Sequence, residues 1–264
     1  MSGRIYIGIG GWTYEDWRGP FYPEGLTQKR ELEYASRQMT AIEVNGTYYG
    51  SMKPASYIKW YEETPDDFVF TLKGSRYTTN RRVLAEAGDS IEKFISSGIT
   101  ELKQKLGPIN WQFMATKKFD PEDFEAFLKL LPKRHDGLDL RHAVEVRHDS
   151  FRDDVFVQMA REYGVAIITA GDSEFPQIAD VTAPFVYLRL MGTREYEAEG
   201  YTTGELDAWA GRLKTYADGG VPQDMEAVTR TVSEKPTDVF AFVISGHKVR
   251  NPAAAMGLIK RLRL

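Results

Sequence analysis

Eight short runs rich in β-branched and aromatic residues recur along the chain, separated by segments of helical periodicity. The runs are Arg4–Gly10, Thr40–Asn45, Asp67–Lys73, Pro108–Met114, His142–Arg147, Val165–Ala170, Phe185–Leu190 and Asp238–Ser245. Alternation of this kind marks repeated βα units, whose strands pair in parallel. Eight units close a barrel, and 264 residues suit a barrel folded as one domain. The expected architecture is therefore α/β, a single (βα)8 TIM barrel over residues 1–264. Its sixth unit is expected to be irregular, because Gly171–Pro184 is short and contains Pro176. An extended segment, Asp218–Thr237, precedes strand 8 with room for one short helix.

The helical segments carry their own start and stop signals. Ile91, Phe94, Ile95, Gly98, Ile99, Leu102 and Leu106 share one helical face, opened by Asp89 with Glu92 three residues later as a capping-box-like pair. Asp120-Pro121 starts another helix, with Phe124, Phe127, Leu128 and Leu131 on its buried side. Val155, Phe156, Met159, Ala160 and Tyr163 form a third, ended by Gly164. Leu206, Trp209, Ala210, Leu213 and Tyr216 form a fourth, and Asn251-Pro252 opens the last.

Composition narrows the chemistry. With no cysteine there is no disulfide, thiolate metal site or cysteine nucleophile, and four histidines are few for a multi-zinc cluster. The start, MSGRIYIGIGGW, lacks the apolar core of a signal peptide, and no stretch reaches the ~18 apolar residues that span a bilayer. A cytoplasmic protein without membrane association is expected. The net charge of −4 argues against general coating of nucleic acid, while leaving room for a local basic pocket.

Strand side chains alternate between the two faces of a sheet, so one parity of each strand points into the barrel. Glu43 and Asn45, Thr71 and Lys73, Gln112, Glu145 and Arg147, and Arg189 all fall on the polar parity, opposite apolar neighbours that suit the helix layer. They converge near the C-terminal strand ends, where barrel enzymes keep their active sites. A lone Glu–Arg pair is most often structural. A ring of charges is different, because each buried charge costs several kcal/mol unless paired, and apolar residues would fill the space at lower cost. The same face receives the aromatic and basic loops GGWTYEDWRGPFYPEG, NGTYYG and KGSRYTTNRR, which bring Trp12, Tyr14, Tyr49, Arg76 and Tyr77. Aromatic platforms beside cations suit sugars, bases and phosphates.

Together the segments GGWTYEDWRGPFYP, IEVNGTYYG, FVFTLKGSRY, LGPINWQF, AVEVRHDSF and YLRLMG resemble the YecE-like family, a domain of unknown function. The resemblance spans nearly the whole chain. It implies a TIM barrel, no established reaction and a distant similarity to the endonuclease IV barrel. Carried over by position, it points to Trp12, Tyr14, Glu43, Asn45, Tyr49, Lys73, Gln112, Glu145, Arg147, His148, Arg189 and Tyr196. Three positions depart from the family pattern. Met191 stands where a histidine is usual, Thr79-Asn80 where Thr-His is, and Ser245-Gly246-His247 where Asn-Asp is.

A zinc-cluster nuclease needs several converging His and carboxylate ligands, and only His148 and His247 fall near the right face. No cofactor is expected beyond the option of one Mg²⁺ or Mn²⁺ ion on Glu43, Glu145 and Asp172. Glycosidase chemistry on Glu43 and Glu145 does not match the strand positions of the large barrel glycosidase group. The remaining expectation is an enzyme acting on a small anionic ligand, such as a phosphorylated sugar or nucleotide. Glu43, Glu145 and Lys73 are the candidate catalytic groups. Trp12, Tyr14, Asn45, Tyr49, Arg76, Gln112, Arg147, His148, Arg189 and Tyr196 are the candidate ligand-binding ones. A non-catalytic module binding nucleotides or single-stranded nucleic acid is the alternative, with a divergent endonuclease IV-like phosphodiesterase as a third reading.

Overall fold

The computed structural model describes residues 2–232 and 235–264. Its eight barrel strands are β1 (Ile5–Gly10), β2 (Ala41–Val44), β3 (Val69–Lys73), β4 (Leu106–Gln112), β5 (His142–Glu145), β6 (Ala166–Gly171), β7 (Phe185–Leu190) and β8 (Asp238–Val243). Each pairs in parallel with its sequence neighbours, and β8 pairs with β1 to close the ring. This is the expected TIM barrel. A small hairpin of Arg134–His135 and Leu138–Asp139, not anticipated from the sequence, precedes β5.

Parity sorts the side chains into two layers. Ile7, Ile9, Ile42, Val44, Phe70, Leu72, Val144, Leu188 and Val243 face the helices, whereas Tyr6, Ala41, Val69, Ala143, Ile168, Phe185, Tyr187, Phe240 and Phe242 fill the barrel floor. An extra residue in β4, between the positions paired with Phe70 and Leu72, bulges the strand beside Pro108. Beyond the bulge Lys73 pairs with Asn110, so Asn110 and Gln112 share the interior parity of the polar residues.

The helices follow their caps with one exception. Pro121–Leu130 begins after Asp120, whose carboxylate accepts from the Asp123 amide, and Asp154–Tyr163 stops at Gly164 in the left-handed conformation. Thr203–Ala217 opens with a full capping box between Thr202 and Glu205, and Asn251–Leu262 follows β8. The exception is the segment from Asp89 to Leu106, expected as one helix. It is an α-helix at Gly88–Ile95, a break at Gly98 with φ of +100°, and a 3-10 segment at Ile99–Lys105. The apolar spacing survives the break because both segments press the same side onto the barrel. Asp89 makes no cap hydrogen bond there, and Leu106 begins β4.

No helix follows β6, in keeping with the irregular unit expected there. The segment after β6 is instead stitched to the stretch before β8, in which the described residues form turns and no helix. The buried Asp180 carboxylate accepts hydrogen bonds from the amides of Val228, Thr229 and Arg230 at 2.6, 2.8 and 2.9 Å and from the Thr229 hydroxyl at 2.6 Å. Two irregular segments thereby satisfy each other where a helix would otherwise satisfy its own backbone. Asp180→Ala should therefore lower the unfolding free energy by about 2–3 kcal/mol, since several half-buried donors lose their acceptor at once. Urea titration checks this, and a loss below about 0.5 kcal/mol contradicts it. No helix among the described residues is long and apolar enough to cross a membrane.

Candidate functional site

At the C-terminal mouth of the barrel, Arg189 of β7 is the centre of a buried polar network. Its Nη2 donates to Glu43 Oε1 at 2.8 Å, and its Nη1 donates to Glu145 Oε2 and, at 3.2 Å, to Gln112 Oε1. Arg147 donates from Nε to Glu145 Oε1 at 2.7 Å and from Nη2 to the same Gln112 oxygen at 3.0 Å. Glu43 Oε2 accepts from the Tyr187 hydroxyl at 2.6 Å and from Asn110 Nδ2 at 3.3 Å. Glu43, Asn110, Glu145 and Tyr187 have no solvent exposure. Burial alone would raise the Glu145 carboxyl pKa, but Arg189, Arg147 and Lys73 outweigh it and hold the group below its ordinary range.

Three cations thus meet two carboxylates, and the geometry decides which cation is left over. Both oxygens of Glu43 and both of Glu145 are committed to the arginines, Tyr187 and Asn110. Lys73 makes no ion pair among the described residues, and its ammonium instead lies 4.5 Å from the centroid of the Tyr48 ring. Burial lowers its pKa from 10.5 to about 8, and the neighbouring Arg189 pushes the same way.

Two adjoining cavities open above this network, of about 530 and 540 Å³. Trp12, Val44, Met52 and Trp60 give the first an apolar aromatic wall, completed by Asn45 and Tyr49. Trp12 stands edge-on to Trp60 with ring centroids 5.2 Å apart. Lys73, Gln112, Arg147, Asp172 and Phe175 line the second, which is polar. Arg189 and Ile244 border both, so the two cavities are halves of one mouth.

The structure distributes the sequence candidates unevenly. Trp12, Asn45, Tyr49, Lys73, Gln112, Arg147 and Arg189 line the cavities, while Glu43 and Glu145 lie beneath and line neither. Tyr14 packs edge-on to Trp17 under the Lys248 ammonium, and Arg76 turns outward beside Tyr49 and Tyr77. His148 caps the turn at Asp149–Phe151, its Nδ1 accepting from the Ser150 amide. Tyr196 is 79% exposed and lies beside Arg194, away from both cavities. Asn80, at the position usually held by histidine, hydrogen bonds the Tyr48 hydroxyl, and Met191 lines the polar half.

Among the described residues no three His, Asp or Glu side chains are grouped to hold a metal ion. A Mg²⁺ or Mn²⁺ ion on Glu43 and Glu145 would have to displace two guanidinium groups, so these residues do not fit that role. Asp172 is a different carboxylate. It lines the polar cavity, adopts a left-handed φ of +53° that a non-glycine residue rarely takes, and accepts from Trp209 Nε1 at 2.8 Å without a guanidinium partner. Asp172 is also the first residue after a strand, a position that marks barrel active sites in sequence.

Comparison with known proteins places these features in a family. A family profile described as "Protein of unknown function DUF72" matches residues 6–264. The chain is 31% identical over 150 residues to the UPF0759 protein YecE of Escherichia coli, an alignment covering 56% of this chain and 50% of that protein. It thus spans about half the length of the curated relatives it matches first. A DUF72 family protein of Thermotoga maritima superposes with a TM-score of 0.72 at 23% identity, covering 99% of this chain and 100% of the other. A DUF72 family protein of Enterococcus faecalis gives 0.73 at 19% identity, with 98% and 96% covered.

Proposed function

This chain belongs to the DUF72 family, and for it we propose the role of a cytoplasmic enzyme that acts on a small anionic ligand, a phosphorylated sugar or a nucleotide. The observation that carries the proposal is the divided mouth, with an aromatic half and a cationic half joined at Arg189. A ring suits the wall of Trp12 and Trp60, and its anionic group suits Arg147 and Lys73, since guanidinium offers paired donors to oxyanions. Glu43 and Glu145 hold Arg189, and Arg189 and Arg147 in turn hold the Gln112 carbonyl, leaving Lys73 and Asp172 as the groups free to move protons.

Calorimetric titration with ribose 5-phosphate and adenosine 5′-monophosphate tests this reading. At least one probe should bind, and Trp12→Ala and Arg147→Ala should each weaken it about tenfold, or ~1.4 kcal/mol. Failure of both probes, or affinity unchanged in both variants, overturns it. The exposure of Tyr49 and Tyr77 beside Arg76 favours a second reading, a single-strand nucleic-acid strip. Binding of an oligonucleotide without turnover, falling steeply with salt, would mark that case.

A further inference from the structure

Lys73 is the residue whose surroundings an anion-binding role leaves least explained. It is 8% exposed, yet its side chain reaches the polar cavity, and no carboxylate pairs with it among the described residues. An unpaired buried ammonium is costly, and here the repulsion of Arg189 and Arg147 works against the attraction of Glu43 and Glu145, with burial deciding the direction. The Thr47 hydroxyl donates to the Lys73 backbone carbonyl at 2.7 Å and fixes the backbone there, while the Tyr48 ring covers the ammonium. Arg147 and Gln112 stand across the same cavity. A buried amine kept among other cations at the edge of a cavity, beside a site for an anion, is arranged to be a nucleophile.

From this arrangement we infer that Lys73 forms an imine with the carbonyl carbon of a small phosphorylated or carboxylated aldehyde or ketone. The inference rests on the anionic-ligand reading and narrows its substrate class. The lone pair of the neutral amine adds to the carbonyl carbon, and the carbonyl oxygen takes up a proton as the nitrogen loses one. The resulting carbinolamine loses water, leaving a carbon–nitrogen double bond. Amine and carbonyl give imine and water, with no oxidant or reductant consumed. A neutral amine is accessible near physiological pH because burial lowers the group toward pH 8. The anionic end of the substrate would engage Arg147, and the imine nitrogen, on taking up a proton from solvent, would carry its charge next to that anion.

The test incubates the full chain with glyceraldehyde 3-phosphate or pyridoxal 5′-phosphate plus sodium cyanoborohydride, which reduces an imine to a stable amine, and maps the adduct by mass spectrometry. Lys73 should be labelled at least 50-fold faster than any other lysine with one of the two probes. The rate should rise through about pH 8 rather than near 10.5. Glycerol 3-phosphate, which has no carbonyl, should protect Lys73. Lys73→Arg should form no adduct in the site, with a far-ultraviolet circular dichroism spectrum matching the parent's to show that it folds. If both probes label lysines indiscriminately while glycerol 3-phosphate still binds, the imine is overturned and Lys73 is a point charge for an anion. If neither selective labelling nor glycerol 3-phosphate binding occurs, both this inference and the reading beneath it fall.

Discussion

Arg189→Met should lower the unfolding free energy by about 3–5 kcal/mol, the expected cost of stranding a buried charge. The side chain is 3% exposed and bridges two fully buried carboxylates, so its loss leaves Glu43 and Glu145 inside the barrel with one cation fewer. Methionine fills much of the volume, which separates charge from cavity. The pH dependence identifies the cause. In the parent protein Glu145 has a depressed pKa, so its contribution is present above the unfolded carboxylate value and is lost as pH falls through the lower folded one. In the variant, desolvation without Arg189 should raise the carboxyl pKa, and protonation should relieve the strain. The deficit measured by urea titration should therefore shrink between pH 7 and pH 5. A deficit under about 1 kcal/mol, or one that does not vary with pH, contradicts the network as described. Arg147→Ala should cost less stability, because the Arg147 side chain is 21% exposed and lies against Phe175 at the rim.

The second large effect lies at the opposite end of β5. His142 is buried and neutral: its Nδ1 accepts from Trp111 Nε1 at 3.1 Å, which places the proton on Nε2, where it donates to the Pro132 carbonyl at 2.8 Å. Burial lowers its pKa from 6.5 to about 4. Because the folded value lies below the unfolded one, the unfolded chain takes up the proton first as pH falls. Stability from the neutral ring is complete above pH 6.5 and drains away between 6.5 and 4, amounting to about 3 kcal/mol. Depressed carboxylates act below about pH 5, as with Glu205, held near 2 by Arg194, so the interval from 6.5 to 5 isolates the histidine. Chemical denaturation across that interval should show the parent losing stability relative to His142→Asn, whose own curve should be nearly flat. Parallel curves would refute the assignment.

The parity of the strands was enough to read Glu43, Lys73, Gln112, Glu145 and Arg189 as interior residues, because each stands between apolar neighbours that need the helix layer. Asn45 was legible by the same parity, and Trp12 and Tyr49 as loop residues on the same face. Sequence could not show the pairing. Which carboxylate oxygen meets which guanidinium depends on strands separated by as many as 146 residues, and that pairing sends Glu43 and Glu145 below the cavities. Asn110 was missed although it shares the parity of Gln112, and Tyr187 was hidden by an aromatic ring that looks like ordinary core. His148 and Tyr196 carry the right side chains at the right strand ends, but local turn geometry uses one as a cap and leaves the other outside. The break at Gly98 was masked because a 3-10 segment can continue an apolar face begun by an α-helix.

Arg189 ties β7 to β2 and β5, none of which is its neighbour in the ring. Hydrogen bonds between adjacent strands tolerate a slip by one residue, since the ladder looks the same after the shift. The ionic tie does not. Moving β7 by one position would put Leu188 or Leu190 at the mouth and Arg189 among the helices, leaving two carboxylates with no guanidinium from that strand. The charge cluster therefore acts as a registration key for barrel closure: the last strands can join the first in one alignment, and misaligned closures carry an electrostatic fault from the moment they form.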